Sequence, residues 1–258
     1  MVELDHLSYS SISLYQTCPR AWRYRYVEKI PTPASASLAF GSAFHSAIET
    51  IIARRAIDQP VEPVAAWTAA WEVATQQEID YQGELPEELS NQGLRLLTHK
   101  DTADLLNSIV PMLDADGQPV IEKRVELRVP GVPVPIIGYI DTILSNGIPA
   151  DFKTSTRAWT EDKAREELQP AYYLAALNQM GYSQNPSHEF QHFVFVKTKV
   201  PQIQIIPTVH PPADWLWLFG AVQEVWRGIE AGVFPPNPGS WRCSERYCEY
   251  WSRCRGRP

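Results

Sequence analysis

The stretch GYIDTILSNGIPADFK, residues 138–153, decides the fold. Its Ser-Asn-Gly sequence at 145–147 is a turn signal between two strand-like runs. If the hairpin is symmetric about the asparagine, Asp141 lies directly opposite Asp151, and such partners have Cβ atoms about 4.5–5.5 Å apart. Strand alternation places Lys153 on the same face as Asp151. The stretch therefore predicts a hairpin that presents two carboxylates and one amine on a single face.

Two carboxylates at that separation repel each other unless a cation lies between them. A hard divalent ion such as Mg²⁺ or Mn²⁺ prefers oxygen ligands, so Asp141 and Asp151 form a candidate metal site. The amine of Lys153 could polarise an attacking water or stabilise the charge that grows on a phosphate during hydrolysis. Either aspartate alone would more simply be a turn or surface acid. All three groups in register favour the catalytic interpretation.

His45 and Glu49 are four residues apart in a run with good helical character, AFHSAIETIIARRAI, which follows Gly41. Residues with this spacing share one helix face. His45 could complete the coordination of the metal, with Glu49 as an outer or occasional direct ligand. Taken alone, a histidine is more often packed in a core and a glutamate more often solvated. The neighbouring acids favour the metal interpretation more for His45 than for Glu49.

The composition is that of a folded globular protein, since 44% of the 258 residues are apolar and 11% aromatic. A single domain, 1–258, is the simplest organisation at this length. The formal net charge of −7 argues against a generally basic nucleic-acid binder. However, the two cysteine-bearing segments, 18–29 and 242–258, are rich in arginine and could hold phosphates. No apolar run is as long as a membrane span and no secretory signal is recognisable, so we expect a cytoplasmic protein.

The order of the elements along the chain predicts an α/β fold. A first helix is expected to begin at the N-caps offered by Ser8 to Ser11. Residues 55–118 are typical of a helical insertion or subdomain. Period-two alternation then indicates strands. The predicted strands are 120–129, 134–144, 148–153, 190–198 and 202–209, and the predicted helices that flank them are 162–180 and 214–229.

Four cysteines make up the whole cysteine complement of the chain. Cys18 stands alone, and the others, Cys243, Cys248 and Cys254, follow the pattern Cys-x4-Cys-x5-Cys. In a reducing compartment they are more simply metal ligands than disulfides. Four thiolates suit either Zn²⁺ or an iron–sulfur cluster, although a structural zinc site usually comes as two tight pairs. We therefore predict a metal-bound clasp that joins Cys18 to residues 240–258.

Several of these pieces, taken in order, resemble the motifs of RecB-type nucleases of the PD-(D/E)XK superfamily. They are Gly41-x3-His45, Gly138-Tyr-Ile-Asp141, Asp151-Phe-Lys153 and Gln169-x3-Tyr173. The sequence SYSSISLYQTCPRAWRYRY at 8–26 and the cysteine triplet resemble the iron–sulfur branch of that family. This branch includes the CRISPR-associated RecB-like exonucleases and the AddB nuclease domain. The resemblance covers nearly the whole chain apart from roughly 55–118.

The resemblance implies a restriction-endonuclease-like core, with a small mixed sheet flanked by helices, and a role for each matching residue. The implied metal ligands are His45, Asp141, Asp151 and the backbone carbonyl of Phe152. Lys153 corresponds to the catalytic lysine, while Gln169 and Tyr173 match a helical motif that contacts DNA and supports the active site. The implied ligands of a [4Fe-4S] cluster are Cys18, Cys243, Cys248 and Cys254. One departure is the four-residue spacing between the first two cysteines of the triplet, where the family often has two or three.

The function implied is a metal-dependent DNA nuclease that uses Mg²⁺ or Mn²⁺. By resemblance, its substrate would be single-stranded DNA or duplex ends, with Arg20, Arg23 and Tyr173 guiding the strand. A free-standing exonuclease of recombination, repair or phage replication would fit. So would a CRISPR adaptation nuclease that trims captured DNA alongside an integrase. A third hypothesis is of another class: a non-catalytic iron–sulfur protein that binds DNA or acts as a scaffold.

Overall fold

The centre of the structure, a computed structural model that describes residues 4–182 and 184–256, is a five-stranded mixed sheet. The ends of the predicted single domain, 1–3 and 257–258, lie outside the described residues. The strands among the described residues are β1 (Ala34–Ser35), β2 (Ile79–Asp80), β3 (Ile121–Leu127), β4 (Ile136–Ile143), β5 (Pro149–Ser155), β6 (Glu189–Val196) and β7 (Gln202–Val209). The large sheet has the order β3-β4-β5-β6-β7, and β1 pairs separately with β2. Only β5 and β6 are parallel within the large sheet.

Helices precede, interrupt and follow these strands. They are α1 (Tyr9–Thr17), α2 (Pro19–Trp22), a π-helical turn (Arg23–Val27), α3 (Ala36–Ala56), α4 (Pro63–Ala74), α5 (Pro86–Thr98), α6 (Lys100–Ser108), α7 (Glu161–Glu166), α8 (Gln169–Gln179), α9 (Pro212–Glu230) and α10 (Trp251–Arg255). Every strand predicted from the sequence is present within a few residues of its expected bounds. The predicted α/β class is confirmed.

Both faces of the sheet are covered by helices. On one face, α3 packs against apolar side chains of β5 and β6, including Phe152 and Phe193, and α4 and α5 pack on α3. On the other face, α8 lies against β3, with α9 and α1 packed outside it. This layered arrangement buries the apolar side of each helix against the sheet. It also brings two different helices, α3 and α8, to opposite sides of the central hairpin.

Helix α3 has the length and apolar composition of a membrane span, but only by those two criteria. Half of its apolar window is buried inside the fold. Phe40, Phe44, Ile48 and Ile52 are fully enclosed by the sheet and the neighbouring helices. Its composition is therefore explained by its position as a core helix.

Two predicted helix boundaries differ from the structure. Helix α3 begins at Ala36 rather than near Gly41, because the Ser35 side chain accepts the backbone N–H of Leu38 and caps it there. The predicted helix 162–180 is divided into α7 and α8. Pro170 lies in the first turn of α8, where its missing N–H is tolerated, so a new helix begins there instead of continuing α7. The predicted first helix is confirmed, with Ser8 as its cap.

The central hairpin has the predicted register over a short length. The paired residues of β4 and β5 are Thr142 with Ala150 and Ile143 with Pro149. Gly147 closes the turn with φ of 87°, a left-handed conformation that favours glycine. Beyond the two pairs the strands separate, and the start of β4 takes another partner: Leu7 exchanges backbone hydrogen bonds with Pro135 and Ile137. The hairpin is therefore a fork rather than a continuous ladder.

The predicted insertion, 55–118, contains α4, β2, α5 and α6. Its core is built around Trp67, which is fully buried, stacks on Trp71 and contacts Phe40 of α3. These helices therefore share one apolar cluster with α3 and the sheet. Gln82 also donates to the carbonyl of Arg246, which links this region to the C-terminal segment.

Gly93 of α5 lies against Trp67, and we predict that Gly93→Ala destabilises the protein. A Cβ atom at this position would overlap the buried indole ring, and overpacking of this kind costs about 1–3 kcal/mol. Thermal or urea unfolding measures the change. The matched control is Gly220→Ala in the interior of α9, where a Cβ atom meets nothing within 4 Å, so that helix propensity alone should stabilise by up to about 1 kcal/mol. Equal shifts for the two variants would contradict the packing described here.

Candidate active site

The candidate active site lies at the fork between β4 and β5. Where the ladder ends, the backbone N–H of Phe152 donates to Oδ2 of Asp141 over 2.6 Å. Asp141 is buried, and Nδ1 of His45, from α3, lies 3.3 Å from the same oxygen. A side-chain carboxylate thus replaces a backbone carbonyl in the sheet. This holds Asp141 directly beside the backbone of β5.

Asp151 and Lys153 form an ion pair on the neighbouring strand. Nζ of Lys153 lies 3.0 Å from Oδ1 of Asp151 and 2.8 Å from Oδ2. Only the approach to Oδ1 has hydrogen-bond geometry, so Oδ2 is a buried oxygen without a hydrogen-bond donor. Asp151 is 2% exposed. A buried carboxylate oxygen with a free lone pair is a natural ligand for a cation.

The two aspartates reach the fork from opposite sides of the sheet. In β4, Gly138 packs against Tyr173 of α8, whereas Asp141 reaches the α3 side, where its Oδ2 lies 3.3 Å from Nδ1 of His45. In β5, Phe152 packs on the α3 side, so Asp151 points toward α8. The prediction that both acids share one face is therefore wrong. Alternation relates two strands only while they remain paired, and β4 and β5 have already separated at this point.

A chain of hydrogen bonds holds the lysine in place. Nζ of Lys153 donates to Oε1 of Gln169 over 2.8 Å, and Nε2 of Gln169 donates to the hydroxyl of Tyr173 over 2.7 Å. The Tyr173 ring is 5% exposed and stacks on Phe190. Of the two roles implied by the resemblance, this burial favours support of the active site over direct stacking on DNA.

Glu49 and a residue that the sequence analysis missed, Glu122, complete the acidic side of the fork. Glu122 of β3 stands across from Asp141 in the register of β3 and β4, but the pairing is interrupted there and Glu122 has φ of 50°. Ligand atoms of His45, Glu49 and Asp141 lie within 4.8 Å of one another. A strained residue at such a position is typical of functional sites.

Burial and mutual repulsion shift the pKa values of these groups. Burial, with the nearby charges of Glu122 and Asp141, raises the pKa of Glu49 to about 8. Burial also raises the pKa of Asp151 to about 6, against the opposing charge of Lys153. Burial lowers the pKa of His45, but its hydrogen bond to Asp141 and the negative charges of Asp141 and Asp151 together outweigh that effect, and the net change is upward. Crowded acids of this kind are relieved by a bound cation.

A second residue that the sequence analysis missed is His192. It lies beside Asp151 in the parallel register of β5 and β6, and it is 1% exposed. Neither ring nitrogen has a hydrogen-bond partner among the described residues, and the rings of Trp159 and Phe190 pack around it. Burial lowers its pKa to about 4, so the ring is neutral near pH 7. No pattern in the sequence distinguishes this histidine from an ordinary strand residue.

The four cysteines line one cavity between α2 and the C-terminal segment, and all are free thiols. The walls on either side are joined by contacts that do not use the thiols. Trp22 stacks on Phe234 with ring centroids 5.6 Å apart. Arg25 pairs with Glu249 at 2.6 Å. The two segments are therefore held together by ordinary packing and ion pairs around the thiols.

The two arginines predicted to guide DNA lie near this cavity. Arg20 lines it and donates through Nε to the carbonyl of Phe234 over 2.9 Å. The Arg23 side chain is 47% exposed and pairs with Glu28 at 2.9 Å. Both side chains therefore make structural contacts within the fold.

Two acids and a lysine at a fork in a mixed α/β core define a class of protein, the metal-dependent nucleases, which hydrolyse phosphodiesters. The comparison with protein families agrees. Residues 6–255 match the PD-(D/E)XK nuclease superfamily, and the chain belongs to that superfamily.

A solved structure shares the fold. The crystal structure of a candidate exonuclease from Eubacterium rectale is similar with a TM-score of 0.59, over 97% of this chain and 88% of that one. The two sequences are 11% identical, so this similarity concerns the fold alone. No curated protein sequence matches the chain.

We predict that His192→Phe reduces the loss of stability in acid. The pKa of His192 is about 4 in the folded protein and 6.5 in its ordinary state. The unfolded chain therefore binds the proton first as the pH falls, and stability is lost from about pH 6.5 toward pH 4. Removing the imidazole should reduce this acid-induced loss in the free energy of unfolding by up to about 3 kcal/mol.

Urea unfolding at pH 7 and pH 4.5, in the presence of a chelator, measures the effect. His6→Gln, at an exposed position, is the matched control and should leave the decline as it is in the unaltered protein. A His192→Phe variant with the same acid loss as the unaltered protein would show that this ring does not control it.

Proposed function

We propose that the protein is a metal-dependent deoxyribonuclease that acts as an exonuclease on single-stranded DNA or duplex ends. The observation that carries the proposal is the meeting of Asp141, Asp151 and Lys153 at the fork between β4 and β5. The family supplies the reaction class, phosphodiester hydrolysis. The choice of DNA, and of ends over internal sites, follows the resemblance to RecB-type nucleases.

The donors at the fork fit a hard divalent cation such as Mg²⁺ or Mn²⁺. Asp141 and Asp151 would hold it, the latter through the buried oxygen that has no hydrogen bond. His45 lies next to Asp141, with Glu49 nearby as a further ligand. The N–H and C=O of a strand residue point to the same side, so the carbonyl of Phe152 faces the fork together with its N–H. When bound, the cation offsets phosphate charge and makes a bound water more acidic.

Lys153 is positioned to donate a hydrogen bond rather than to act as a base. An ammonium group has three N–H bonds, and Asp151 and Gln169 accept from it here. The remaining N–H can reach a phosphate oxygen and offset the charge that grows on it as water attacks the phosphorus. Gln169, itself held by Tyr173, fixes the direction of the lysine. These two residues therefore act through Lys153.

We predict that Lys153→Met and Asp151→Asn each reduce the rate of DNA cleavage by about 10²–10³-fold or more. The first variant removes the positive charge that faces the reacting phosphate, and the second removes a negative charge that holds the cation. The assay follows end-labelled single strands, blunt duplexes and closed circles with Mn²⁺, with Mg²⁺ and with chelator. Lys100→Met, at an exposed lysine of α6, is the matched control and should retain full activity.

Binding of labelled single strands by both site variants should persist. The unaltered protein, with metal bound at its four cysteines, is tested in the same assay. If it cuts none of these substrates with Mn²⁺, the hypothesis of a non-catalytic iron–sulfur protein replaces the nuclease proposal. Cleavage that resists chelator, or full activity in Asp151→Asn, would remove the metal-dependent mechanism.

We further propose that the four cysteines hold a [4Fe-4S] cluster, as in the iron–sulfur branch of the family. All four line one cavity. A single Zn²⁺ ion would draw its thiolates to about 3.8 Å from one another. Within residues 4–182 and 184–256, no three thiols come within 4.8 Å of one another. The choice of a [4Fe-4S] cluster over zinc therefore follows the resemblance, and the role of the cluster would be to join the two segments.

We predict that protein purified without oxygen is brown and carries about four iron atoms per chain. Cys248→Ser should lose the visible absorbance and lower the melting temperature, because a ligand that joins two segments is removed. Ser252→Ala in α10 lies in the same segment without a thiol and should keep both properties. Colourless protein with one zinc ion per chain would overturn the iron assignment.

The partner implied by the resemblance is an integrase or a recombination protein. Both settings use the same site chemistry. Co-purification of the tagged protein from its native cells separates them, since an adaptation nuclease should carry the integrase with it.

A further inference from the structure

An exposed tyrosine and an arginine lie side by side on the sheet, next to the candidate metal site. Tyr139 of β4 is 49% exposed, and its cross-strand partner in β3 is Arg124, with a side chain that is 51% exposed. Both side chains are therefore open to solvent. Neither residue has a role in the catalytic arrangement described above.

Both residues share the face to which Asp141 points. Val125 and Gly138 pack toward α8, as the closeness of Gly138 to Tyr173 shows. Alternation therefore turns Arg124 and Tyr139 to the opposite face. Tyr139 is two residues from Asp141 along β4, a separation of about 7 Å. A strand of nucleic acid with a phosphate at the fork can therefore reach this pair with its next nucleotide.

The charge of this surface suits an anionic strand. The only described ion-pair partner of Arg124 is Glu126, at 3.4 Å, and Glu126 is also held by Arg128 at 2.6 Å. One carboxylate is thus shared by two guanidinium groups, so the three side chains carry a net positive charge. The longer contact leaves Arg124 the freer of the two to meet a phosphate.

We infer that Tyr139 and Arg124 form a platform that binds the substrate strand beside the scissile phosphate. A base stacks on the Tyr139 ring, and the adjoining phosphate is bound by Arg124. Aromatic stacking accepts any base and requires a base that is not paired. The platform therefore selects single-stranded nucleic acid without sequence preference. This inference rests on the proposed nuclease function, which it extends to the recognition of the substrate.

The test measures binding separately from cleavage. Fluorescence anisotropy follows a labelled oligo-dT of about 12 nucleotides in the presence of chelator, with the full-length protein. Tyr139→Ala should weaken binding about 10-fold, and Tyr139→Leu, which keeps an apolar side chain for folding, should do the same. Tyr139→Phe keeps the ring and should remain within twofold of the unaltered protein.

Arg124→Gln should weaken binding and reduce the slope of log affinity against log salt by about one, as expected for the loss of one phosphate contact. The matched controls lie on α9: Trp217→Ala, at a tryptophan that is 61% exposed, and Arg227→Gln. Both should bind like the unaltered protein. With Mn²⁺, the Tyr139→Ala variant should show a raised KM and a nearly unchanged kcat.

Two outcomes overturn the platform. One is unaltered binding by Tyr139→Ala and Tyr139→Leu, and the other is an equal loss in Trp217→Ala. Failure of the nuclease proposal gives a different result, because the unaltered protein would then bind the oligonucleotide through Tyr139 and Arg124 without cutting it. Loss of melting temperature without loss of binding would assign the pair a merely structural role and also overturn the platform.

Discussion

The structure depends on one hydrogen bond in the central sheet. The carboxylate of Asp141 accepts the backbone N–H of Phe152, which in a continuous ladder would donate to a backbone carbonyl. A buried N–H must be paired, so this bond allows β4 and β5 to separate without an energetic penalty for the orphaned donor. The separation creates the fork. It lets α3 supply His45 from one side and α8 supply Gln169 from the other. A continuous ladder would have closed this space and left the acids on a flat surface.

The parts of the site that the sequence could predict are those fixed by local geometry. The turn at 145–147 sets the register of the hairpin, and residues four apart on α3 and α8 share a helix face. The facing of Asp141 could not be predicted, because alternation does not pass across separated strands. The position of Glu122 at the fork could not be predicted, because the connection between β3 and β4 does not fix the register of the two strands in the sequence. His192 meets Asp151 only through a parallel pairing, which depends on how α7 and α8 pack.

The clasp between α2 and the C-terminal segment shows the same limit. The spacing of the cysteines indicated a common site, and the four thiols do line one cavity. The contacts around them, such as the stack of Trp22 on Phe234, involve residues with no recognisable pattern. These contacts join the walls of the cavity without using the thiols. The proposed platform of Tyr139 and Arg124 and the contacts between α2 and the C-terminal segment thus lie on different parts of the fold.

The contact between α1 and the segment that follows α9 also has a consequence for synthesis on the ribosome. Tyr15 donates to the carbonyl of Val233, a residue 218 positions later in the chain. At about 5–20 residues per second, the nascent chain waits roughly 10–45 s between the two. During that time Tyr15 and Trp22 lack Phe234, whose ring contacts both of theirs in the folded protein. Helices α1 and α2 therefore leave the exit tunnel incompletely packed, and their aromatic surface is available to chaperones until residues 233 and 234 have been made.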